Sequence, residues 1–196
     1  MVLITGGDRR KTATEGLGKE LLKAGPDLLV VNPRGVSEQL SPENHLVSDT
    51  VRIGRPLFGQ MVWDIRQSVA WLRQHGNKQI ALHGKGPYGL LAVCAASQTP
   101  VQAVATDKLP HSFTVGLANR TPYPLWFYVA NMLKAVDVPQ VIALANAPVL
   151  VLNTVGDGKQ PLCSTAAAKT LPGAQCGVDP ENAEAKTAAW VRTALP

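Results

Sequence analysis

Residues 78–97 read KQIALHGKGPYGLLAVCAAS, and this stretch sets the frame for the rest of the chain. Its opening run, KQIAL (78–82), suits a buried strand, and its closing run, LLAVCAAS (90–97), suits a helix of small apolar residues lying against a sheet. Between them HGKGPYG (83–89) is a glycine-rich turn. Strand, tight turn and helix in that order are where α/β proteins place a nucleophile or cradle a phosphate. This turn, however, holds neither Ser nor Cys.

The flanking segments follow the same alternation. VLIT (2–5) is a short apolar strand stopped by Gly6 and Gly7. TATEGLGKELLKAG (12–25) predicts a helix, with Thr12 and Glu15 in capping-box spacing, Leu17, Leu21 and Leu22 on one face, and Gly25 at its end. DLLVVNPRG (27–35) is a second strand, turned by Pro33 and Gly35, and residues 36–58 are polar and irregular. Met61, Ile65, Val69 and Leu72 give 59–76 a helical period. VQAVAT (101–106) is a fourth strand, 139–146 a short helix, APVLVLNTVGDG (147–158) a fifth strand with its loop, and AQCGV (174–178) a weaker one. Asp179 and Pro180 open a final helix that runs to Leu195. Residues 107–138 hold three prolines and half of the aromatic side chains, and are expected to cross over the sheet like a cap.

Apolar strands alternating with helices predict one α/β domain over residues 1–196, a three-layer sandwich with a mainly parallel sheet. Right-handed crossovers then gather the loops 6–11, 32–38, 83–89, 106–112 and 153–160 at the carboxyl ends of the strands. With 45% hydrophobic and 17% charged residues, 196 residues can bury a core without disulfide or metal support. No apolar run is long enough for a membrane span, and no signal peptide is expected, since Met1 leads straight into a strand-like run. The net charge of +5 invites an acidic partner, but the basic residues are scattered. The densest group, DRRK (8–11), has no aromatic residues between its charges, so neither nucleic acid nor membrane is an expected partner.

Cofactor signals are weak. Thr5-Gly6 and Gly16-Leu17-Gly18 are too far apart for a compact dinucleotide turn, and Asn32 stands where an acidic ribose ligand would fall. An NAD(P)-binding reductase is therefore the least favoured reading, and no cofactor is expected. His45, His75, His83 and His111 lack metal-ligand spacing. His75 suits a helix carboxyl end and Cys94 a core position, while pairing of Cys163 with Cys176 stays open.

Taken together, LLVVNPRGVSEQ (28–39), RPLFGQMVWDIRQSVAWLRQH (55–75), IALHGKGPYGLLAVCAA (80–96) and APVLVLNTVGDGKQPL (147–162) resemble the α/β-hydrolase fold. Within it the chain is most similar to acetyl xylan esterase-like members and to degenerate hydrolase domains of large proteins of that type. The resemblance implies a nucleophile elbow at residues 84–89, an acid after the fifth strand, and an oxyanion strand at VLIT. The strands that usually precede an oxyanion strand are lacking, so a protein partner or a preceding domain is expected to cover that sheet edge.

Laid on that pattern, Gly86 takes the nucleophile position and Pro87, with no N–H, the oxyanion-donor position, while Tyr88 replaces a small residue. No His follows residue 111, where the general base would lie, and only Asp157 remains as the acid. Ser37, Cys163 and Ser164 lie near the carboxyl-end loops without a His placed to activate them. The reading is a structural, carbohydrate-binding or partner-binding module that has lost Ser-hydrolase chemistry. The alternative is an active esterase working on an acyl ester with His111 and Asp157 around a bound water. His83, Lys85, Tyr88, Arg34 and Asp8 are the candidate binding residues. Lys85 could hold an anion or carboxylate or merely be solvated, and His83 could equally be core. If these loops converge on an open pocket, binding survives; if side chains fill it, the domain is structural.

Overall fold

The computed structural model describes residues 1–36, 43–115, 123–157, 161–162 and 164–195. Six strands form one sheet: β1 (Val2–Ile4), β2 (Leu29–Val31), β3 (Ala81–Lys85), β4 (Ala103–Asp107), β5 (Val149–Leu152) and β6 (Ala174–Gly177). They lie in the order β2-β1-β3-β4-β5-β6, and every pairing is parallel. The helices are α1 (Arg9–Thr14), α2 (Gly16–Ala24), α3 (Glu43–Arg52), α4 (Leu57–Gln74), α5 (Pro87–Ala96), α6 (Met132–Ala135), α7 (Val138–Ala143), α8 (Ser164–Thr170) and α9 (Ala183–Ala194), with a 3₁₀ turn at Leu125–Phe127.

Strand alternation sorts side chains to the two faces. Val2, Ile4, Leu82, Val104 and Val151 join Met61, Ile65 and Val69 of α4 and the apolar residues of α5 in the larger core. Met1, Leu3, Ala81 and Ala103 face the other way, against Leu17 and Leu21 of α2 and Ala188 and Val191 of α9. Helix α5 is buried from Gly89 to Ala96, which explains why it shows no polar face. It can lie that close because Gly84 and Gly89 have no side chains. A Cβ on Gly84 would stand 2.3 Å from the Tyr88 carbonyl oxygen, and one on Gly89 would stand 3.1 Å from Thr106 Cβ.

Several expectations are corrected. The helix read over 12–25 is two helices. Asp8 caps the first, its carboxylate accepting from Arg10 N (2.8 Å) and Lys11 N (3.1 Å), and the chain breaks at extended Glu15 before Gly16 restarts at φ 51°. Thr12 turns its hydroxyl back to the Asp8 carbonyl instead of capping. Part of the stretch read as irregular is α3, whose Leu46 and Val47 pack on the larger core. Asn182, not Asp179, is the N-cap of α9. Helix α8, unforeseen, buries only Ala167. The predicted excursion does contribute to the core through Phe113, Trp126 and Phe127. Ser37, Cys163 and the proposed Cys163–Cys176 pairing lie outside the described residues. Among the described residues Cys94 is buried, its thiol pushed up to about 12 by desolvation. His75 ends α4, its Nδ1–H donating to the Trp71 carbonyl at 2.8 Å.

Candidate functional site

The turn between β3 and α5 has the sharp geometry of an elbow. Gly86 sits at φ 57°, ψ −132°, a region that side-chain-bearing residues rarely enter. Its N–H donates to the Asp107 carbonyl (2.7 Å), and its own carbonyl accepts from Gly89 N (3.0 Å), which closes the turn. A Cβ at this position would meet nothing within 4 Å, so the apex points into open space. Pro87 follows as the first residue of α5. Its fixed φ suits a helix start, and it offers no N–H to an oxyanion.

Tyr88 then crosses to the loop after β1. A Cβ on Gly6 would lie 1.8 Å from the Tyr88 hydroxyl oxygen, so the phenol rests directly on the Gly6 backbone. The ring also packs at 5.3 Å from Trp126, which in turn lies 6.3 Å from Phe58. The region between elbow and Gly6 loop is thus occupied by an aromatic side chain anchored in the core.

His111 and Asp157 do come together, by way of a parallel bridge between Pro110 and Val155. His111 Nε2 stands 4.0 Å from Asp157 Oδ1, and His111 Nδ1–H donates to the Val155 carbonyl at 3.1 Å. That bond leaves Nε2 as the only ring nitrogen open to chemistry. Arg34 is spent elsewhere: its backbone N and its Nε reach Asp64 Oδ2 at 3.0 and 2.8 Å, and its Nη1 reaches Gln60 at 3.0 Å. This carboxylate raises the Arg34 pKa.

A cavity of about 410 Å³ opens on the other face of the sheet, between the carboxyl ends of β1, β3 and β4 and helices α1, α2 and α9. It gathers Asp8, His83 and Lys85 of the expected binding residues, and leaves Tyr88 and Arg34 out. His83, 9% exposed, has its pKa pushed down to about 4 by burial, Lys85 adding to the effect and Asp107 opposing it. Asp107 holds the ends of β3 and β5 together. Its Oδ2 lies 3.4 Å from Lys85 Nζ, and its Oδ1 accepts from Asn153 Nδ2 at 2.8 Å. Asn153 Oδ1 accepts from Asp179 N (2.8 Å), and the Asp179 carboxylate, 2.7 Å from Lys186, is held below its ordinary pKa by that lysine and by Asn182. This polar chain runs across four strand ends.

Sequence reasoning missed Asp107, Asn153, Glu184 and Thr187 in this neighbourhood. Asn153 carried one usable signal: it follows an apolar strand and adopts φ 51°, a conformation Asn tolerates better than most residues. Gly16 and Gly18 also border the cavity, but α1 separates them from Gly6 and Gly7, so no compact dinucleotide turn forms.

No family model and no curated protein sequence matches the chain. Solved structures do. A metagenome-derived lipolytic enzyme is similar at 14% identity and TM-score 0.65, covering 98% of this chain and 93% of that one. An esterase of Pyrococcus furiosus is similar at 14% identity and TM-score 0.62, over 100% of this chain and 82% of the other. An acylaminoacyl peptidase of Pyrococcus horikoshii matches at 17% identity and TM-score 0.55, over 91% of this chain but 31% of the peptidase. The chain has the α/β-hydrolase fold.

Proposed function

We propose that this α/β-hydrolase-fold chain is a binding module, related to the carbohydrate esterases, that no longer performs Ser-hydrolase chemistry. The observation that carries the reading is the Tyr88 phenol seated on Gly6. It takes the space where a substrate carbonyl would have to lie between elbow and oxyanion loop. Gly86 and Pro87 support the same reading, since one supplies no nucleophile and the other no oxyanion donor. Loss of a nucleophile alone costs on the order of 10⁶ in rate. Binding would instead use the cavity beside His83 and Lys85.

A second reading rests on the His111–Asp157 contact. With its proton on Nδ1, His111 presents Nε2 as a base, and a water shared with Asp157 could attack an acyl ester. One experiment separates the two. The purified chain is expected to hydrolyse p-nitrophenyl acetate no faster than a heat-denatured control. Turnover well above that control, lost in both His111→Ala and Asp157→Asn, would establish the second reading and remove the first.

A further inference from the structure

What the cavity holds deepens the binding-module reading and rests on it. Its lining combines four carboxylates, Asp8, Glu15, Asp107 and Glu184, with two lysines, Lys11 and Lys85. The chain as a whole carries +5, so the sign of charge is reversed at this spot. The carboxylates differ in what already satisfies them. Asp8 caps α1, and Glu15 stands 3.8 Å from Lys11. Glu184 has no hydrogen bond or ion pair among the described residues.

Asp107 is the deep one, 7% exposed. One oxygen is satisfied by Asn153, whereas the other faces Lys85 Nζ at 3.4 Å, well beyond the 2.7–2.9 Å typical of a charge-assisted hydrogen bond. The Lys85 side chain is 60% exposed, so a mobile cation reaches in from solvent to a buried carboxylate it does not closely engage. His83 lies two residues earlier on the same strand face and lines the same cavity. At 9% exposure its ring has no hydrogen-bond partner among the described residues, and its nitrogens are not among the fully buried atoms, so the ring edge reaches the cavity. Because burial holds its pKa near 4, the ring is neutral at pH 7 and offers a lone pair. Leu3 and Leu17 supply apolar wall.

We propose that this cavity binds a small primary alkylamine as its ammonium, the head group seated on Asp107 in place of the Lys85 ammonium and the chain lying along Leu3 and Leu17. Three N–H donors match what is on offer: an under-engaged carboxylate oxygen, the His83 lone pair and a water or Glu184. A carboxylate ligand would meet Asp107 and Glu184 as like charges, and a neutral alcohol would forgo the ion pair. Lys85 acts as a tethered competitor for the same oxygen, and removing it should favour the diffusible amine.

Titration calorimetry and thermal unfolding of the full chain with n-butylamine hydrochloride, sodium butyrate and 1-butanol, at pH 7.5 and matched ionic strength, test this. Butylammonium is expected to bind and raise the melting temperature, with butyrate and butanol at least about tenfold weaker. Lys85→Met should tighten butylammonium by about tenfold, and Glu184→Gln should loosen it several-fold. Glu184 is exposed, so that variant keeps the test decisive if Lys85→Met does not fold. Tighter binding of butyrate, or weaker amine binding by folded Lys85→Met, overturns the assignment in favour of an anion site on Lys85. Esterase turnover by the folded chain removes the binding-module reading whatever the amine does. A folded, esterase-inactive chain that ignores butylammonium removes the amine assignment alone.

Discussion

His83 makes the stability of the fold depend on pH. Its folded-state pKa, near 4, lies below the ordinary value of 6.5, so the unfolded chain takes up the proton first as pH falls. Its contribution is therefore intact above about pH 6.5 and drains away between there and pH 4, at about 1.4 kcal/mol per pH unit. Urea unfolding at pH 7 and pH 5 should show this residue costing about 2 kcal/mol over that interval, and His83→Leu should lose that part of the difference. An equal pH dependence in wild type and variant would show that the ring is hydrated. From sequence His83 and Lys85 were both turn residues, and only the extension of β3 to Lys85 puts them on one strand face. Their meeting with Asp107 was not legible, because it depends on the register that sets Lys85 beside Asp107 across β3 and β4. A single sequence carries alternation within a strand but not the offset between two strands.

Asp137 shows how much a cap can carry. It opens α7 with a capping box, its Oδ1 accepting from Val138 N (2.7 Å) and Phe113 N (2.9 Å) and its Oδ2 from Ser112 Oγ (2.6 Å). One carboxylate thus starts a helix and pins the loop after β4 on which His111 sits. Asp137→Ala should cost about 2–3 kcal/mol in chemical denaturation, more than an ordinary cap, and Asp137→Asn clearly less. A loss below about 1 kcal/mol would mean the loop is held by Phe113 packing instead. Helices were legible where their apolar period was dense, as in α4 with Leu57, Met61, Ile65 and Val69 buried. They were illegible where it was thin: α8 buries only Ala167, and among the described side chains α3 shows only Leu46, Val47 and Thr50 in or near the core. The break between α1 and α2 was hidden for another reason. Helical propensity continues through Glu15, whereas the kink rests on close approaches: a Cβ on Gly16 would stand 2.7 Å from Glu184 Oε1 of α9, and one on Gly18 would stand 2.1 Å from the Thr12 carbonyl oxygen.

Parallel sheets are most protected at their centre. β3 and β4 have strands on both sides and helices on both faces, while β2 and β6 are the edges of the sheet. Hydrogen exchange read by mass spectrometry should therefore be slowest in 81–85, 103–107 and α5, and fast in α1, α3 and β2. Protection of β2 equal to that of β3 in the isolated chain would contradict this ordering. The expected partner or preceding domain on that edge is a proposal with the same readout, since a bound strand would slow exchange across Leu29–Val31. The parallel three-layer sandwich was legible from alternating strands and helices, but the order β2-β1-β3-β4-β5-β6 was not, because order is a property of crossovers and not of any one segment. The contact between Tyr88 and Gly6 has a further consequence, for which substitutions the two loops can accept. A serine written at position 86 would place a hydroxyl at the apex, while Pro87 would still offer no N–H and the phenol would still stand over Gly6. Shrinking Tyr88 would leave a hole beside Trp126, at a loss of stability. The elbow and the loop after β1 are thus coupled through one ring, and a side chain added at position 6 has to be matched by a smaller one at position 88.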